Sequence, residues 1–236
     1  MTKICDLHTH VMPQVDDGAK SVEQALQMLR NAVASDVVQL ALTPHFSVEN
    51  SDFSYIKDQG KKLIRQAADL PITLVLGAEV HLQGEVKDAF KGRLPTLNGS
   101  RYLLSEFLPS AQPREIESWL KALLQWGYVP LIAHPERYGC VAENPALTEK
   151  WLDMGCHLQL TGGSILGAYG QNAKKTAEKL LQMDLVACVA SDAHGVNHRS
   201  NYLLEVYDHL SVYYSSAYAK CLMYTNPMAI CADERI

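Results

Sequence analysis

Side chains of the metal-ligating type fall in short clusters, each at the end of an apolar run: Asp6-Leu7-His8-Thr9-His10, Ala133-His134-Pro135-Glu136-Arg137 and Ser191-Asp192-Ala193-His194. Along an extended chain, residues two apart face the same side, so His8 with His10, and Asp192 with His194, can grip one ion together. One such pair is weak evidence because it arises easily by chance. Its repetition after apolar segments is strong, since burying this many imidazoles and carboxylates without a metal carries a large desolvation cost. The chemistry these groups share is metal-assisted hydrolysis.

Adding the carboxylates and imidazoles at comparable places along the chain gives nine candidate ligands: His8, His10, Asp17, His45, Glu79, Glu106, His134, Asp192 and His194. A single tetrahedral zinc needs only about four. A mixed nitrogen and oxygen set with no Cys in any cluster suits two or three borderline ions, manganese first, with iron or zinc as alternatives. Such a cluster activates water and clamps a phosphoryl group on its attacking and leaving oxygens, so phosphate ester hydrolysis is the natural reaction. Arg137 lies three residues after His134, and Arg199 five after His194, where both can receive phosphate oxygens as charge-assisted pairs. The bland alternative for each is an ordinary surface ion pair.

The elements that must position these residues follow from hydrophobic periodicity. Apolar runs predict seven strands, at residues 4–7, 37–42, 72–76, 102–104, 129–133, 157–160 and 186–190. Between them, residues 22–34, 56–68, 116–126, 147–154 and 173–183 carry apolar side chains at three-to-four spacing and predict amphipathic helices, with more helix over 202–224. Alternating β-α units predict a parallel sheet covered by helices. His8 and His10, His45, Glu79, Glu106, His134, and Asp192 with His194 then follow successive strands. In a closed parallel barrel, the carboxyl ends of all strands meet at one face, which brings these remote residues together.

Composition agrees with one compact α/β domain: 236 residues, 47% hydrophobic and 20% charged, with no repeat or low-complexity tract. The six cysteines form no Cys-x-x-Cys pair, and the first residues lack the apolar stretch of a signal peptide, so reduced thiols in the cytoplasm are expected. A net charge of −5 without a Lys/Arg block argues against nucleic acid, and no apolar run is long enough for membrane insertion. A phosphocysteine mechanism is excluded as well, because none of the six Cys has an Arg six residues later.

The run from Asp6 to Ala19, with its Asp16-Asp17-Gly18 element, together with Thr43-Pro44-His45, Gly77-Ala78-Glu79, His134-Pro135-Glu136-Arg137-Tyr138, Leu160-Thr161-Gly162-Gly163 and Ser191-Asp192-Ala193-His194, resembles the PHP (polymerase and histidinol phosphatase) superfamily. The branch it is most similar to is the tyrosine-protein phosphatases of bacterial capsule and exopolysaccharide operons. The resemblance implies a distorted seven-stranded (β/α)7 TIM-like barrel over residues 1–236, with a trinuclear site. It implies that His8, His10, Glu79 and Asp192 hold one metal, that Glu79, Glu106 and His134 hold a second, and that Asp17, His45 and His194 hold a third. It further implies that Arg137 and Arg199 bind phosphate, and that a metal-bridging hydroxide attacks the phosphorus of a phosphotyrosine protein, the tyrosine-rich tail of a polysaccharide-synthesis kinase. After Arg199 the chain departs from the family pattern: Ser200-Asn201 stands where Pro-Pro is usual.

The competing readings are a small-molecule phosphatase, such as one for histidinol phosphate, and a nucleic-acid accessory or catalytically dead interaction domain. The charge argues against nucleic acid, and the intact ligand set argues against a dead site. His81 and His198 are assigned supporting or loop roles, His157 and His209 structural ones, and the C-terminal tyrosines helix packing.

Overall fold

Strand side chains alternate between two apolar sets, and that alternation builds the molecule. Ile4, Leu40, Leu42, Leu103, Ile132 and Val189 pack with helical residues such as Met28, Leu29, Trp119 and Leu120. The intervening Cys5, Ala41, Tyr102, Leu104, Leu131, Ala133 and Cys188 pack against one another and against Ile230 and Cys231. Both faces of the sheet are therefore buried, as parallel strands with crossover helices require. The computed structural model describes residues 2–47, 52–84 and 94–236.

In chain order the strands are β1 (Ile4–Asp6), β2 (Val37–Leu42), β3 (His45–Phe46), β4 (Thr73–Leu76), β5 (Glu79–His81), β6 (Tyr102–Glu106), β7 (Val129–Ala133), β8 (His157–Thr161) and β9 (Cys188–Ala190). They form two parallel sheets, ordered β1-β2-β4 and β3-β5-β6-β7-β8-β9. The division falls where Thr43-Pro44 separates β2 from β3 and Gly77-Ala78 separates β4 from β5. Pro44 has no amide hydrogen to give a ladder. The sheets remain stitched there, with the Gly77 amide donating to the Leu42 carbonyl (3.0 Å) and the Glu79 amide to the Pro44 carbonyl (3.0 Å). At the other edge, beyond the named strands, Thr9 bridges Ala193 in parallel, and the Asp192 amide donates to the His8 carbonyl at 2.9 Å.

The helices begin where their caps say they should. In α1 (Val22–Ala34), Ser21 accepts from the Gln24 amide, and in α2 (Phe53–Gln66), Asp52 accepts from the Tyr55 amide. In α3 (Pro113–Gln125), Pro113 occupies the first turn, and Ile116, Trp119, Leu120 and Leu123 form the buried stripe. Then come α4 (Gly139–Glu143), α5 (Leu147–Asp153), α6 (Gly162–Leu166) and α7 (Gln171–Gln182). The expected helix over 202–224 is broken into α8 (Leu203–Tyr213), α9 (Ser216–Lys220) and a π-turn at Cys221–Thr225, followed by α10 (Asn226–Cys231). The break comes at Tyr214, with φ −123° and ψ −83°, and at Ser215, whose side chain caps α9. Three expected positions also shift. His45, Glu79 and Glu106 lie within β3, β5 and β6 rather than after a strand.

Candidate metal centre

The site lies where the strands end. Leu7 belongs to the strand-packed apolar set, so continued alternation would have carried His8 and His10 away from it. β1 stops at Asp6 instead, and the segment that follows places the two Nε2 atoms 3.1 Å apart. Leaving β7 and β9 needs unusual backbone: His134 has φ +35° and Asp192 φ +53°, and Arg199 on the following loop has φ +49°. Positive φ at non-glycine residues is strained and persists only where the surroundings dictate it. Gly18 answers a different demand. A Cβ there would meet the His10 carbonyl oxygen at 1.8 Å, so only glycine lets this loop fold back over His10.

All nine sequence-derived ligands converge. Ligand atoms lie within 4.8 Å of one another in four sets: His10 with Asp17, His45 and His194; His8 with His10 and Asp192; His8 with Glu79 and His134; His45 with Glu79 and Glu106. The nine residues come together, but in sets that overlap differently from the expected grouping. His10 also joins the Asp17 group, and His45 also joins Glu79 and Glu106. Glu79 is the hub, with its carboxylate 2.9–3.3 Å from imidazole nitrogens of His8, His10, His45 and His134. Burial opposes its ionisation, but those four histidines outweigh burial and hold the carboxyl well below its ordinary range.

The outer hydrogen bonds of the imidazoles reveal what the inner nitrogens are for. The Gln159 amide nitrogen donates to the Leu160 carbonyl (2.7 Å), which leaves its oxygen to accept from His8 Nδ1 (2.8 Å). His10 Nδ1 donates to Asp16 (2.8 Å), and His194 Nδ1 to the Asp192 carbonyl (2.9 Å). With Nδ1 carrying a hydrogen in all three, each ring turns Nε2 inward, where its neutral form would present a lone pair, the arrangement that metal-ligating histidines adopt. His194 Nε2 is buried and makes no hydrogen bond. Burial works against protonating His8 and His10, yet Glu79 and Asp192 around the first, and Asp16 and Glu79 around the second, raise each to about 9. In the absence of ions, protons take up the positive charge this anionic cluster demands. Inward-facing imidazole nitrogens around shared carboxylates, with His194 Nε2 buried without a hydrogen bond and 3.3 Å from the Asp17 carboxylate, fit divalent ions.

Arg137 and Arg199 meet on the buried Asp192, and Arg199 also lies 3.9 Å from the exposed Asp17. Arg137 Nη2 donates to Asp192 (2.5 Å) and to the Thr161 hydroxyl (2.8 Å), while Arg199 Nη2 lies 3.1 Å from both Asp192 oxygens. Both pack on Tyr169: the Arg137 guanidinium stands 3.9 Å over its ring, and Arg199 Nε donates to its hydroxyl at 3.1 Å. His81 Nδ1 pairs with Glu106 at 2.9 Å, His198 lies on the exposed loop, and His157 and His209 stand apart from the cluster.

Sequence reasoning missed the residues that hold the ligands. Asp16, Gln159 and Tyr169 belong here, as does Glu136, which accepts from the Thr161 amide (3.1 Å). Asp6 also stands behind the cluster. Fully buried, it accepts from the Ser191 amide (3.0 Å) and the His8 amide (3.3 Å), and burial pushes its carboxyl up to about 6. Its other oxygen accepts from Asn201 Nδ2 at 3.1 Å, and Asn201 Oδ1 accepts from the Leu203 amide at the start of α8. The Ser200-Asn201 departure thus supplies its own tether for the arginine loop. The Asp16-Asp17 doublet was the one legible signal for Asp16; nothing local marks Gln159 or Tyr169.

Fold and site together define an α/β protein with a cluster of His, Asp and Glu side chains that could hold metal ions at the ends of parallel strands. Residues 4–232 match the model for capsular polysaccharide synthesis proteins CpsB/CapC, and the chain belongs to that family. It is 36% identical over 202 residues to the tyrosine-protein phosphatase YwqE of Bacillus subtilis, covering 83% of this chain and 79% of that one. It is 31% identical over 242 residues to the tyrosine-protein phosphatase CpsB of Streptococcus pneumoniae, covering 98% and 99%. Among solved structures, one from the work on YwqE and CpsB, described as unique metal-dependent tyrosine phosphatases, superposes with a TM-score of 0.89 at 31% identity, over 99% of this chain and 96% of that one. The phosphotriesterase homology protein of Escherichia coli shares the fold alone, with a TM-score of 0.61 at 12% identity over 96% of this chain and 97% of that one. Among the described residues no helix is long and apolar enough to cross a membrane.

Proposed function

We propose that this chain is a metal-dependent protein-tyrosine phosphatase of the cytoplasm, acting on the tyrosine-rich tail of a polysaccharide-synthesis kinase in capsule or exopolysaccharide production. The two sheets are read as one distorted seven-stranded barrel, with β2 continued by β3 and β4 by β5, in a single domain spanning residues 1–236. Support comes from family membership, from the names carried by YwqE and CpsB, and from the site. The observation that carries the reading is the convergence of nine His, Asp and Glu side chains into overlapping sets around Glu79 and His10.

In this reading His8, His10, Asp17, His45, Glu79, Glu106, His134, Asp192 and His194 hold two to three divalent ions, manganese first. When bound, such ions supply Lewis acidity to phosphoryl oxygens and lower the pKa of water. The chain's own residues do the rest. Asp16 and Gln159 keep the His10 and His8 rings in the ligating tautomer. Arg137 and Arg199 bind phosphate oxygens and strengthen that contact as charge builds in the transition state. A tyrosine phenolate leaves readily, because its conjugate acid has a pKa of about 10, so no dedicated general acid is needed.

The test is a side-by-side assay of the manganese-loaded protein on a phosphotyrosine peptide, histidinol phosphate and a single-stranded oligonucleotide. Preference for the phosphopeptide, abolished by chelation and restored by manganese, is the expected result. Preference for histidinol phosphate, or full activity of metal-free protein, overturns the reading.

A further inference from the structure

His198 and Arg199 line two cavities. One, of about 460 Å³, contains the ligands Asp17 and His194. The other, of about 300 Å³, contains none of the nine ligands; Gly163, Ala168, Tyr169 and Tyr202 are among the residues that form it. We propose that this second cavity receives the aromatic ring of a phosphorylated tyrosine whose phosphate lies against Arg199. The inference rests on the phosphatase reading and adds to it the subsite that selects an aryl ester.

Continuity with the metal centre comes first. Arg199 Nη2 reaches both Asp192 oxygens at 3.1 Å, and its Nε reaches the Tyr169 hydroxyl at 3.1 Å. One guanidinium therefore spans from a ligand carboxylate to the cavity wall. Ser191, the neighbour of Asp192, lines the same cavity. Arg199 thus stands between the cluster and this cavity, where it could hold a phosphate that borders both.

Shape and chemistry come second. Gly163 and Ala168 contribute almost no side chain, while Tyr169 and Tyr202 supply aromatic surface. A Cβ on Gly163 would meet the Tyr169 ring at 2.8 Å, so glycine is what lets that ring settle where it contacts both arginines and borders the cavity. Small residues, two aromatic rings and one guanidinium along this lining suit a planar apolar group joined to an anion. The short stem of a phosphorylated serine would leave the space unfilled and forgo the apolar burial.

Calorimetric titration of the manganese-loaded full chain with methylphosphonate and phenylphosphonate tests this without requiring turnover. Phenylphosphonate is expected to bind at least about tenfold more tightly. Ala168→Leu, a change at an exposed position that fills the cavity, should bring phenylphosphonate down to the affinity of methylphosphonate. Tyr202→Ala should weaken phenylphosphonate severalfold more than methylphosphonate. Equal affinities in the wild type, absence of phosphonate binding, or a preference that survives Ala168→Leu overturns the subsite. Phosphotyrosine turnover without the phenyl preference overturns the subsite alone, whereas the preference without turnover of any phosphomonoester overturns the phosphatase reading alone.

Discussion

The side chains of His8 and His10 expose none of their surface, while those of Arg137 and Arg199, a few ångströms away on Asp192, are 19% and 30% exposed. The buried pair is held from behind by Gln159 and Asp16, groups belonging to the scaffold. Arg137 is held by Asp192, itself one of the proposed ligands, by the Thr161 hydroxyl and by the Tyr169 ring, and Arg199 by Asp192 and the Tyr169 hydroxyl. The floor of the site is therefore built to keep lone pairs aimed at fixed points, and the rim is built so that cations can exchange one anionic partner for another. In the proposed reaction, an arriving phosphate would offer Arg137 and Arg199 what Asp192 offers them now, which would free that carboxylate to serve a metal.

The largest effect expected from this comparison is at its centre. Glu79→Ala removes the carboxylate shared by four histidines, and should cost most of the bound metal and nearly all turnover, while Cys140→Ser leaves both intact. Metal analysis and phosphopeptide kinetics on the two folded variants check this. Near wild-type metal content in Glu79→Ala would remove it from the floor.

At the rim, Arg137→Ala should lower kcat as well as raise KM, by about 2–4 kcal/mol in kcat/KM, with metal content unchanged. Arg199→Ala should cost less, because its guanidinium is the more exposed of the two. Kinetics on a phosphotyrosine peptide decide the order, and unaltered kcat/KM in both would leave phosphate binding to the metals alone.

Behind the floor, Asp16→Asn lets the side-chain amide turn its nitrogen to His10 Nδ1 and favour the wrong tautomer, so metal affinity should fall by about 10–100-fold. Competition against a chromogenic chelator measures it. An unchanged affinity would make Asp16 a loop anchor only, through its bonds to the Gly18 and His45 amides.

The smallest effect is a pH dependence confined to metal-free protein. His8 and His10 are raised from 6.5 to about 9 in the folded state, so their contribution to stability is complete below pH 6.5 and lost as pH climbs through about 9. His194 runs the other way. Burial and the nearby His10 lower it to about 4, so its contribution is present above pH 6.5 and lost as pH falls through about 4. The melting temperature of the metal-free chain should thus drop between pH 6.5 and 9, and metal uptake in that window should release protons. Calorimetry with and without manganese separates the two forms; a flat profile for metal-free protein would show that the two buried histidines are not charged.

The catalytic-type residues were legible because metal chemistry restricts them to His, Asp and Glu, and because β-α periodicity places such residues at strand ends. The Asp16-Asp17-Gly18 element was legible through the family resemblance, whereas the need for glycine where the loop folds back on His10 came from the tertiary structure. The ligand set, the helical and strand periodicity and the family resemblance were therefore properties of the sequence itself. Which ligands are shared, the split of the sheets at Pro44 and Gly77, the breaks in the C-terminal helix, and the roles of Gln159, Tyr169 and Asn201 were decided by tertiary structure. Gln159 lies 151 residues from His8 and Asn201 lies 195 from Asp6, and a hydrogen bond across such a separation leaves no local pattern. Its partners are chosen only when the parallel strands are laid side by side, because burial then leaves each polar atom the choice of a neighbour or none.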